Sequence, residues 1–509
     1  MKPGLLLVLG TGLAVALAGC ASGGAPLPAP PGAGVNDINP RPAEALRDGG
    51  DLRWPIDALP DNFNRNQFSG SQVPTKQITD ALLPTLYTDT ADGGVALNPH
   101  YVTSAEVTSA APRTITYAVH PKATWSDGTP ITWRDFEAQW KALNGANPAF
   151  LVSSRTGYED IASVAPGTDD RHVVVTFARP FAEWQSLFSP LYPVSTNSDA
   201  ATFNTGWVNR IPVTAGPFAV EALDQGAKTV TLRRDPKWWG TPAKLDRIIF
   251  KTYERTATAE ALANNEIDFY PIGSSVDLLK RAQSVPGAAI RQSPERAYNH
   301  ITFNGSPGAV LADVKLRQAI AKGIDRTAIA RRLVGQIVPN VGQLGNHIYA
   351  YGSRDYRDNS DALRYDQGAA NRDLDALGWT RPSPGAPRER AGQPLRLRLR
   401  LLEAAPNPIS QQIDRTVADQ LAQLGNDVQQ NYGRVFSPEI TDLFDRGIRE
   451  LDETKRAELG NRADRLIWQE VHHLPLYPAT GAYAVRSTLA NFGAHGFADI
   501  DYLNAGYLR

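Results

Sequence analysis

The clearest pattern of apolar and polar positions lies between residues 298 and 335. Residues 298–304 alternate and are rich in aromatic and β-branched side chains, which predicts a strand. Beyond Asp313, apolar residues recur at the three- and four-residue spacing of one buried helical face. A second helix, capped by Asp325, is predicted to end at Gly335 in the left-handed conformation. The pattern therefore predicts a strand followed by two helices.

Similar patterns continue on both sides of this unit. Thr132 and Asp135 have the spacing of a capping box, and the aromatic stripe that follows them is typical of a helix that faces the core. Strands are predicted at residues 51–56, 114–119, 173–177, 229–233, 245–251 and 395–402. Helices are predicted to begin near residues 133 and 257, and at 366–377, 409–424, 438–448 and 459–467.

The amino terminus has a different pattern. Lys2 precedes an apolar run at residues 5–17, which is shorter than the roughly 20 residues that a membrane span needs. Small residues follow and lead to Cys20, the one Cys of the chain. This arrangement resembles a bacterial lipobox, which implies a signal peptide at residues 1–19, a diacylated Cys20 and a solvated tether at residues 20–35. The alternative is an ordinary secretion signal with an incidental Cys.

Composition narrows the possible functions. With 509 residues and 42% apolar content, the chain can bury large cores. Its 52 basic and 53 acidic residues give a net charge of -1. The chain therefore has no overall positive electrostatic field that would attract nucleic acid, and we expect no such partner. A single Cys excludes an intrachain disulfide and a Cys-based metal site.

The sequence contains none of the common catalytic motifs that we sought. It has no Gly-x-Ser-x-Gly elbow, no Gly-Lys phosphate loop and no His-Glu-x-x-His zinc motif. The eight His residues are scattered, and only His472 and His473 are adjacent. We expect no metal ligands among them, no cofactor and no enzymatic activity.

Several segments together resemble one protein family. Phe303-Asn304, residues 313–320 and residues 323–326 are similar to the signature of the extracytoplasmic solute-binding proteins of peptide ABC transporters. Residues 125–136, 214–218, 234–240 and 264–269 match the same family in the same order, so the resemblance spans nearly the whole mature chain. It implies an α/β fold of the two-lobe periplasmic-binding-protein type, with mixed sheets, a hinge of two crossovers and an extra subdomain in the first lobe.

The resemblance also implies a domain organisation. Lobe I is expected at residues 36–254, with an inserted subdomain at about residues 75–205. Lobe II is expected at residues 255–474, and residues 475–509 return to lobe I. The chain departs from the family near residues 425–428, where a segment that carries an aspartate for the peptide's amino group is absent, so lobe II is expected to be shortened there.

The function that the resemblance implies is capture of a peptide between the lobes and its delivery to an ABC permease. The protein is then a monomer held by lipid on the outer face of the cell membrane. The expected ligand-binding residues are Asn64, Asn66, Phe303, Asn304, Asn431 and Tyr432. Alternatives are another solute (haem, a nickel chelate or a sugar), a surface interaction protein that has lost transport, or a secreted hydrolase.

Overall fold

The computed structural model describes residues 35–398, 417, 420, 427–429 and 437–509. The strands, numbered along the chain, are β1 Asp51–Ile56, β2 Tyr87–Asp89, β3 Val95–Leu97, β4 Val102–Ala110, β5 Arg113–Val119, β6 Ile161–Pro166, β7 His172–Phe177, β8 Phe218–Asp224, β9 Thr229–Arg234, β10 Arg247–Thr252, β11 Phe269–Pro271, β12 Ala288–Gln292, β13 Tyr298–Thr302, β14 Glu389–Arg390, β15 Gln393–Pro394, β16 Arg396–Arg398, β17 Asp427–Gln429, β18 His473–Pro478, β19 Ala482–Arg486, β20 Leu489–Ala490 and β21 Gly506–Tyr507. The helices are α1 Val73–Thr79, α2 Trp133–Leu143, α3 Val194–Asn197, α4 Ala200–Thr205, α5 Thr258–Ala263, α6 Val276–Gln283, α7 Val314–Lys322, α8 Arg326–Val334, α9 Gln367–Ala376, α10 Pro438–Gly447 and α11 Glu453–Glu470.

Two four-stranded sheets form the first half of the chain. One has the order β1-β10-β9-β8, with β1 parallel to β10 and the other pairs antiparallel. The second is the antiparallel sheet β4-β5-β7-β6, against which α2 packs. Burial alternates along β1, where Leu52, Trp54 and Ile56 point inward, as expected for a strand with one buried face.

Both sheets share one hydrophobic cluster. It contains Trp54 and Phe250 of the first sheet, Tyr117 of the second sheet and Phe136 of α2. The carboxyl-terminal segment returns to the same cluster through Phe492 and neighbouring residues. The predicted inserted subdomain therefore has no separate hydrophobic core in the described residues.

Two further hydrophobic clusters lie in the second half of the chain. One surrounds α7, α8, α9 and the end of α11, with Trp468 fully buried. The other joins α5 and α6 to the three-stranded sheet β11-β19-β12. Of the predicted shortened region at residues 425–428, the structure describes residues 427 and 428, which lie in β17 and pair in parallel with β16.

The predicted strand and two helices at 298–335 are present. Asp313 Oδ1 accepts a hydrogen bond from Lys315 N at 2.9 Å, and Asp325 Oδ1 accepts one from Ala328 N at 2.9 Å, so both acidic residues cap their helices. The prediction for Gly335 was wrong. Its φ of -61° is right-handed, and a Cβ there would overlap the carbonyl oxygen of Arg331. Glycine is needed at this position for space, and not for a left-handed backbone.

Two short segments, which we call the straps, connect the sheet β11-β19-β12 to the pair β13-β18. They are residues 293–297 and residues 479–481. They run side by side, because Ala479 N donates to Ala297 O at 2.8 Å and Ser293 N donates to Gly481 O at 3.2 Å. The lobe boundary expected after residue 254 stays a prediction.

Among the described residues, no helix combines the length and the apolar character needed to cross a bilayer.

Candidate ligand-binding groove

Three adjoining cavities lie beside the straps and form one groove. The hinge cavity, the middle cavity and the outer cavity have volumes of about 320, 410 and 760 Å³. Each value lies in the usual range of ligand pockets, roughly 300 to 1,000 Å³. The hinge and middle cavities share Glu295, Ala297 and Tyr298, and the middle and outer cavities share Gly93, Val95, Glu183, Ile348, Tyr349 and Ser353.

Two walls of different origin face each other across this groove. One wall consists of the turn between β2 and β3 together with Glu183 and Gln185. The other consists of residues 347–355, which follow α8, and of side chains from α10 and α11. The straps close one end through Glu295, Ala297 and residues 479–483. The groove therefore separates elements that belong to different hydrophobic clusters.

The two walls also touch. Ala182 N donates a hydrogen bond to Ile448 O at 2.8 Å. Arg456 Nε lies 3.4 Å from Glu183 Oε1, and Arg296 Nη1 of the first strap lies 2.8 Å from Asp89 Oδ2. These contacts join opposite sides of the groove.

The groove is lined by more acidic than basic side chains. In the middle and outer cavities its cations are Arg296, Arg354 and Arg456. Each of the three is already paired with a carboxylate of the same lining, and Arg354 Nη2 lies 3.0 Å from Glu453 Oε2. The acidic members of the lining are Asp89, Asp92, Glu183, Glu295, Asp355 and Glu453.

Glu295 occupies the point where the hinge and middle cavities meet. Its Oε1 accepts a hydrogen bond of 2.8 Å from the hydroxyl of Tyr483, which lies on β19. Burial raises the pKa of the Glu295 carboxyl above its ordinary value, although the Tyr483 hydrogen bond acts in the opposite direction. The pKa of Tyr483 is raised as well. Burial is the main cause, and the negative charge of the nearby Glu295 adds to it.

A histidine cluster lies beside the middle cavity. The His347 and His473 ring centroids are 4.5 Å apart, and His300 and His472 lie next to His473. Tyr298, which lines the cavity, has its hydroxyl 2.9 Å from His473 Nε2. The pKa of His473 is lowered to about 3, mainly by burial and to a smaller extent by the neighbouring histidines.

The cluster does not have the features of a metal centre. His347 Nδ1 is 2.6 Å from Asp464 Oδ1, and its Nε2 is 3.1 Å from the carbonyl oxygen of His473, so both ring nitrogens are occupied. Among the residues that the structure describes, no group of three or more His, Cys, Asp or Glu side chains could hold a metal ion.

Two of the predicted binding residues lie in the loop after β1. Asn64 is fully buried, its Nδ2 donates to Phe203 O at 2.9 Å, and its Oδ1 accepts from Asn66 N at 3.1 Å. Asn66 has a buried Nδ2 for which the described residues supply no hydrogen-bond partner. Neither residue lines the three cavities.

Phe303 and Asn304 follow β13 and also lie away from the three cavities. Phe303 is 4% exposed and belongs to the cluster around α7 and α8. Asn304 Oδ1 accepts from Ser306 N at 3.1 Å and from Ser306 Oγ at 2.6 Å, so it stabilises a turn. The ligand role of the four described residues stays a prediction, and Asn431, Tyr432 and Cys20 lie outside the described residues.

The groove residues were missed at the sequence level because they come from many segments that lie far apart in the chain. A usable signal was present for Glu295 and Arg296, which form a charged pair beside the predicted strand at 298–304. A charged residue beside a crossing between lobes is a candidate for the groove. No comparable signal marks Glu183 or Arg456, since each lies in an ordinary polar context.

Comparison with known proteins places the chain in a family. It is 38% identical to the oligopeptide-binding protein OppA of Mycobacterium bovis, with 98% of this chain and 92% of the relative covered. That alignment has 549 positions, whereas this chain has 509 residues, so at least 40 residues of the relative have no counterpart here.

Solved structures have the same fold. The periplasmic EDTA-binding protein EppA has a TM-score of 0.83 at 24% identity and covers 94% of this chain and 99% of its own. The oligopeptide-binding protein AppA of Bacillus subtilis has a TM-score of 0.75 at 16% identity, with 91% and 100% covered. The model of the bacterial extracellular solute-binding proteins, family 5, matches residues 96–444. With this match and the OppA relationship, the chain belongs to the family 5 extracellular solute-binding proteins.

Proposed function

We propose that the protein captures peptides in the groove and delivers them to the permease of an ABC importer. The observation that carries this proposal is the groove itself, which joins three cavities between two walls and is closed at one end by the straps. The near full-length relationship to an oligopeptide-binding protein supports the ligand class. An elongated groove suits an extended chain, which is bound through main-chain hydrogen bonds and loosely fitting side-chain pockets.

The charge of the groove favours a peptide over an anionic chelate. Each arginine of the middle and outer cavities is neutralised by a carboxylate at 3.4 Å or less. A polyanion would have to displace these carboxylates, at a cost in Coulomb energy. A zwitterionic or cationic peptide meets no such opposition.

Capture follows from the contacts between the walls. A ligand that touches both walls in the closed form, and only one in an open form, shifts the equilibrium toward closure by its difference in affinity. The Ala182–Ile448 hydrogen bond and the Glu183–Arg456 pair already favour closure. We place the hinge at the straps, so that lobe II is residues 298–478 and the remainder belongs to lobe I.

Three finer parts of the proposal concern assembly. The partner is an ABC permease, the protein is a monomer in solution, and Cys20 carries the lipid that holds it at the membrane. Metabolic labelling with a radioactive fatty acid in the native host tests the anchor. Label should enter the protein and be absent from the C20S variant, and equal labelling of both would contradict the assignment.

The peptide assignment is tested by native mass spectrometry and calorimetry of the purified mature protein. A tryptic digest of casein should produce saturable binding and a change in tryptophan fluorescence, whereas Fe(III)-EDTA should not. Saturable binding of Fe(III)-EDTA without any response to peptides would overturn the peptide assignment. Material that copurifies with the protein is released by acid, and its molecular mass is measured by mass spectrometry. This gives a second and independent measure of the ligand class.

A further inference from the structure

Helix α10 turns part of its apolar face toward the outer cavity. Leu443, Phe444 and Gly447 of this helix line the cavity together with Ile448, which follows it, whereas none of the charged residues of the helix does. A helical face with this spacing is normally covered by other parts of the protein. Leu443 is buried, but Phe444 is 41% exposed. The face around Phe444 is therefore open to the groove.

The opposite wall of the outer cavity is also apolar. Val95 of β3 lines this cavity and is 47% exposed. Ile348 and Tyr349, from the loop after α8, complete the lining between the walls. Single apolar side chains are common on protein surfaces. Exposed apolar side chains on both walls of one cavity, with polar residues around them, are instead typical of a ligand-binding groove.

Two glycines leave room beside these apolar side chains. Among the described residues, no atom outside the helix itself lies within 4 Å of the place where a Cβ of Gly447 would stand, so α10 adjoins open space there. A Cβ at Gly460 would overlap the hydroxyl of Tyr349, so glycine allows the Tyr349 side chain to lie against α11. That hydroxyl donates to Arg456 O at 3.4 Å, which holds the side chain in the wall.

The charged side chains of the outer cavity leave this space to an uncharged group. Arg456 is paired with Glu183, and Arg354 is paired with Glu453, at 3.4 and 3.0 Å. A charged ligand group would have to compete with these existing pairs. An apolar group that lies between the walls separates none of them, and it removes apolar surface of both the ligand and the protein from water.

We propose that the outer cavity binds a large apolar side chain of the peptide between Val95 and Phe444, and that the protein therefore prefers peptides that contain leucine, phenylalanine or a similar residue. This inference rests on the proposed function and names a feature of its substrate. Burial of one such side chain corresponds to roughly 10- to 100-fold in affinity.

The experiment uses alanine pentapeptides in which one position at a time is replaced by leucine or by asparagine. The two side chains have nearly the same shape, but only that of leucine is apolar. Calorimetry with the mature protein should show, for at least one position, that the leucine peptide binds roughly 10- to 100-fold more tightly than the asparagine peptide. F444A should lower this ratio to about threefold or less. V95T, which keeps the shape of the side chain and adds a hydroxyl, should lower it by a smaller factor.

The matched control is L451A. Leu451 is 40% exposed, close to the value for Phe444, but it lines none of the three cavities, so the ratio should stay unchanged. Thermal unfolding of each variant confirms that the fold is retained.

Two results would overturn the preference while peptide binding stands. In the first, wild-type protein binds the leucine and asparagine peptides equally at every position. In the second, F444A and L451A lower the ratio by the same factor. If none of the pentapeptides binds, the preference is overturned as well, and if the casein digest also fails to bind, the proposed function is overturned with it.

Discussion

Glu183 and Arg456 face each other across the groove, with 3.4 Å between Glu183 Oε1 and Arg456 Nε. Their side chains are 60% and 26% exposed, so solvent screens the attraction and the pair contributes at most about 1 kcal/mol to closure. We expect E183Q to lower peptide affinity by no more than about fivefold at low salt, and by less at high salt.

The control for E183Q is an ion pair that does not cross the groove. Glu439 and Arg462 form a pair of 2.9 Å between α10 and α11, on one side of the groove, and the Glu439 side chain is 56% exposed, close to the value for Glu183. E439Q should leave peptide affinity unchanged, as measured by calorimetry at two salt concentrations. Equal losses for E183Q and E439Q would contradict a specific role of the Glu183–Arg456 pair in closure.

Gly481 holds the two straps together. Its φ is +54°, and a Cβ would overlap the carbonyl oxygen of Ser293 in the other strap. G481A should therefore separate the straps, destabilise the protein by about 3 kcal/mol or more and abolish peptide binding. Gly287 has a φ of +74°, and no atom lies within 4 Å of the place where a Cβ would stand, so G287A isolates the backbone cost of about 1 to 2 kcal/mol. Urea unfolding of both variants measures the difference.

His473 should make the protein less stable in acid. Burial and the neighbouring histidines lower its folded pKa to about 3, whereas an unfolded histidine has a pKa near 6.5. Its contribution to stability is therefore complete above pH 6.5 and is lost as the pH falls toward 3.

The H473Q variant tests this contribution. The variant should reduce the slope of unfolding free energy against pH, between pH 6 and pH 4, by about 1.4 kcal/mol per pH unit. His495, whose pKa burial lowers to about 4, remains in the variant and should keep part of the slope. An unchanged slope in urea unfolding at several pH values would contradict the assignment.

Asp268, which directly precedes β11, stabilises the junction of β1 with the sheet β11-β19-β12. Its carboxylate accepts from Arg53 N at 2.7 Å and from Arg53 Nε at 3.0 Å, and it is 1% exposed. D268A leaves these donors without a partner and should cost about 2 to 3 kcal/mol in urea unfolding. E137Q, which removes the partner of the exposed Lys141 within α2, should change stability by about 0.5 kcal/mol at most. Equal effects would show that burial of Asp268 is not the cause.

Local patterns predicted the helices well because their signals involve neighbouring residues. Asp313 and Asp325 cap the helices that were predicted from them, since a cap needs a donor only two or three residues away. Gly335 shows the limit of this reasoning. Glycine at the end of a helix indicates either a left-handed residue or a lack of space, and only the backbone of Arg331 distinguishes the two.

The groove could not be predicted in the same way. Asn64 was expected at the ligand because the loop after the first strand borders the ligand cleft in the resembled family. Phe203, 139 residues away in sequence, accepts the hydrogen bond of Asn64, and the ligand role of Asn64 stays a prediction. Glu295 of the first strap and Tyr483 of β19 are 188 residues apart in sequence, and the tertiary structure brings them together. The pairing of each arginine with a particular carboxylate likewise depends on the tertiary structure.

The straps have a consequence for the architecture of the chain. Because Ala297 O and Ala479 N are only 2.8 Å apart, everything between them begins and ends at nearly the same point in space. Residues 298–478 are thus an insertion whose two ends meet. The corresponding segment of another family member could be grafted between the same two points to exchange half of the binding surface.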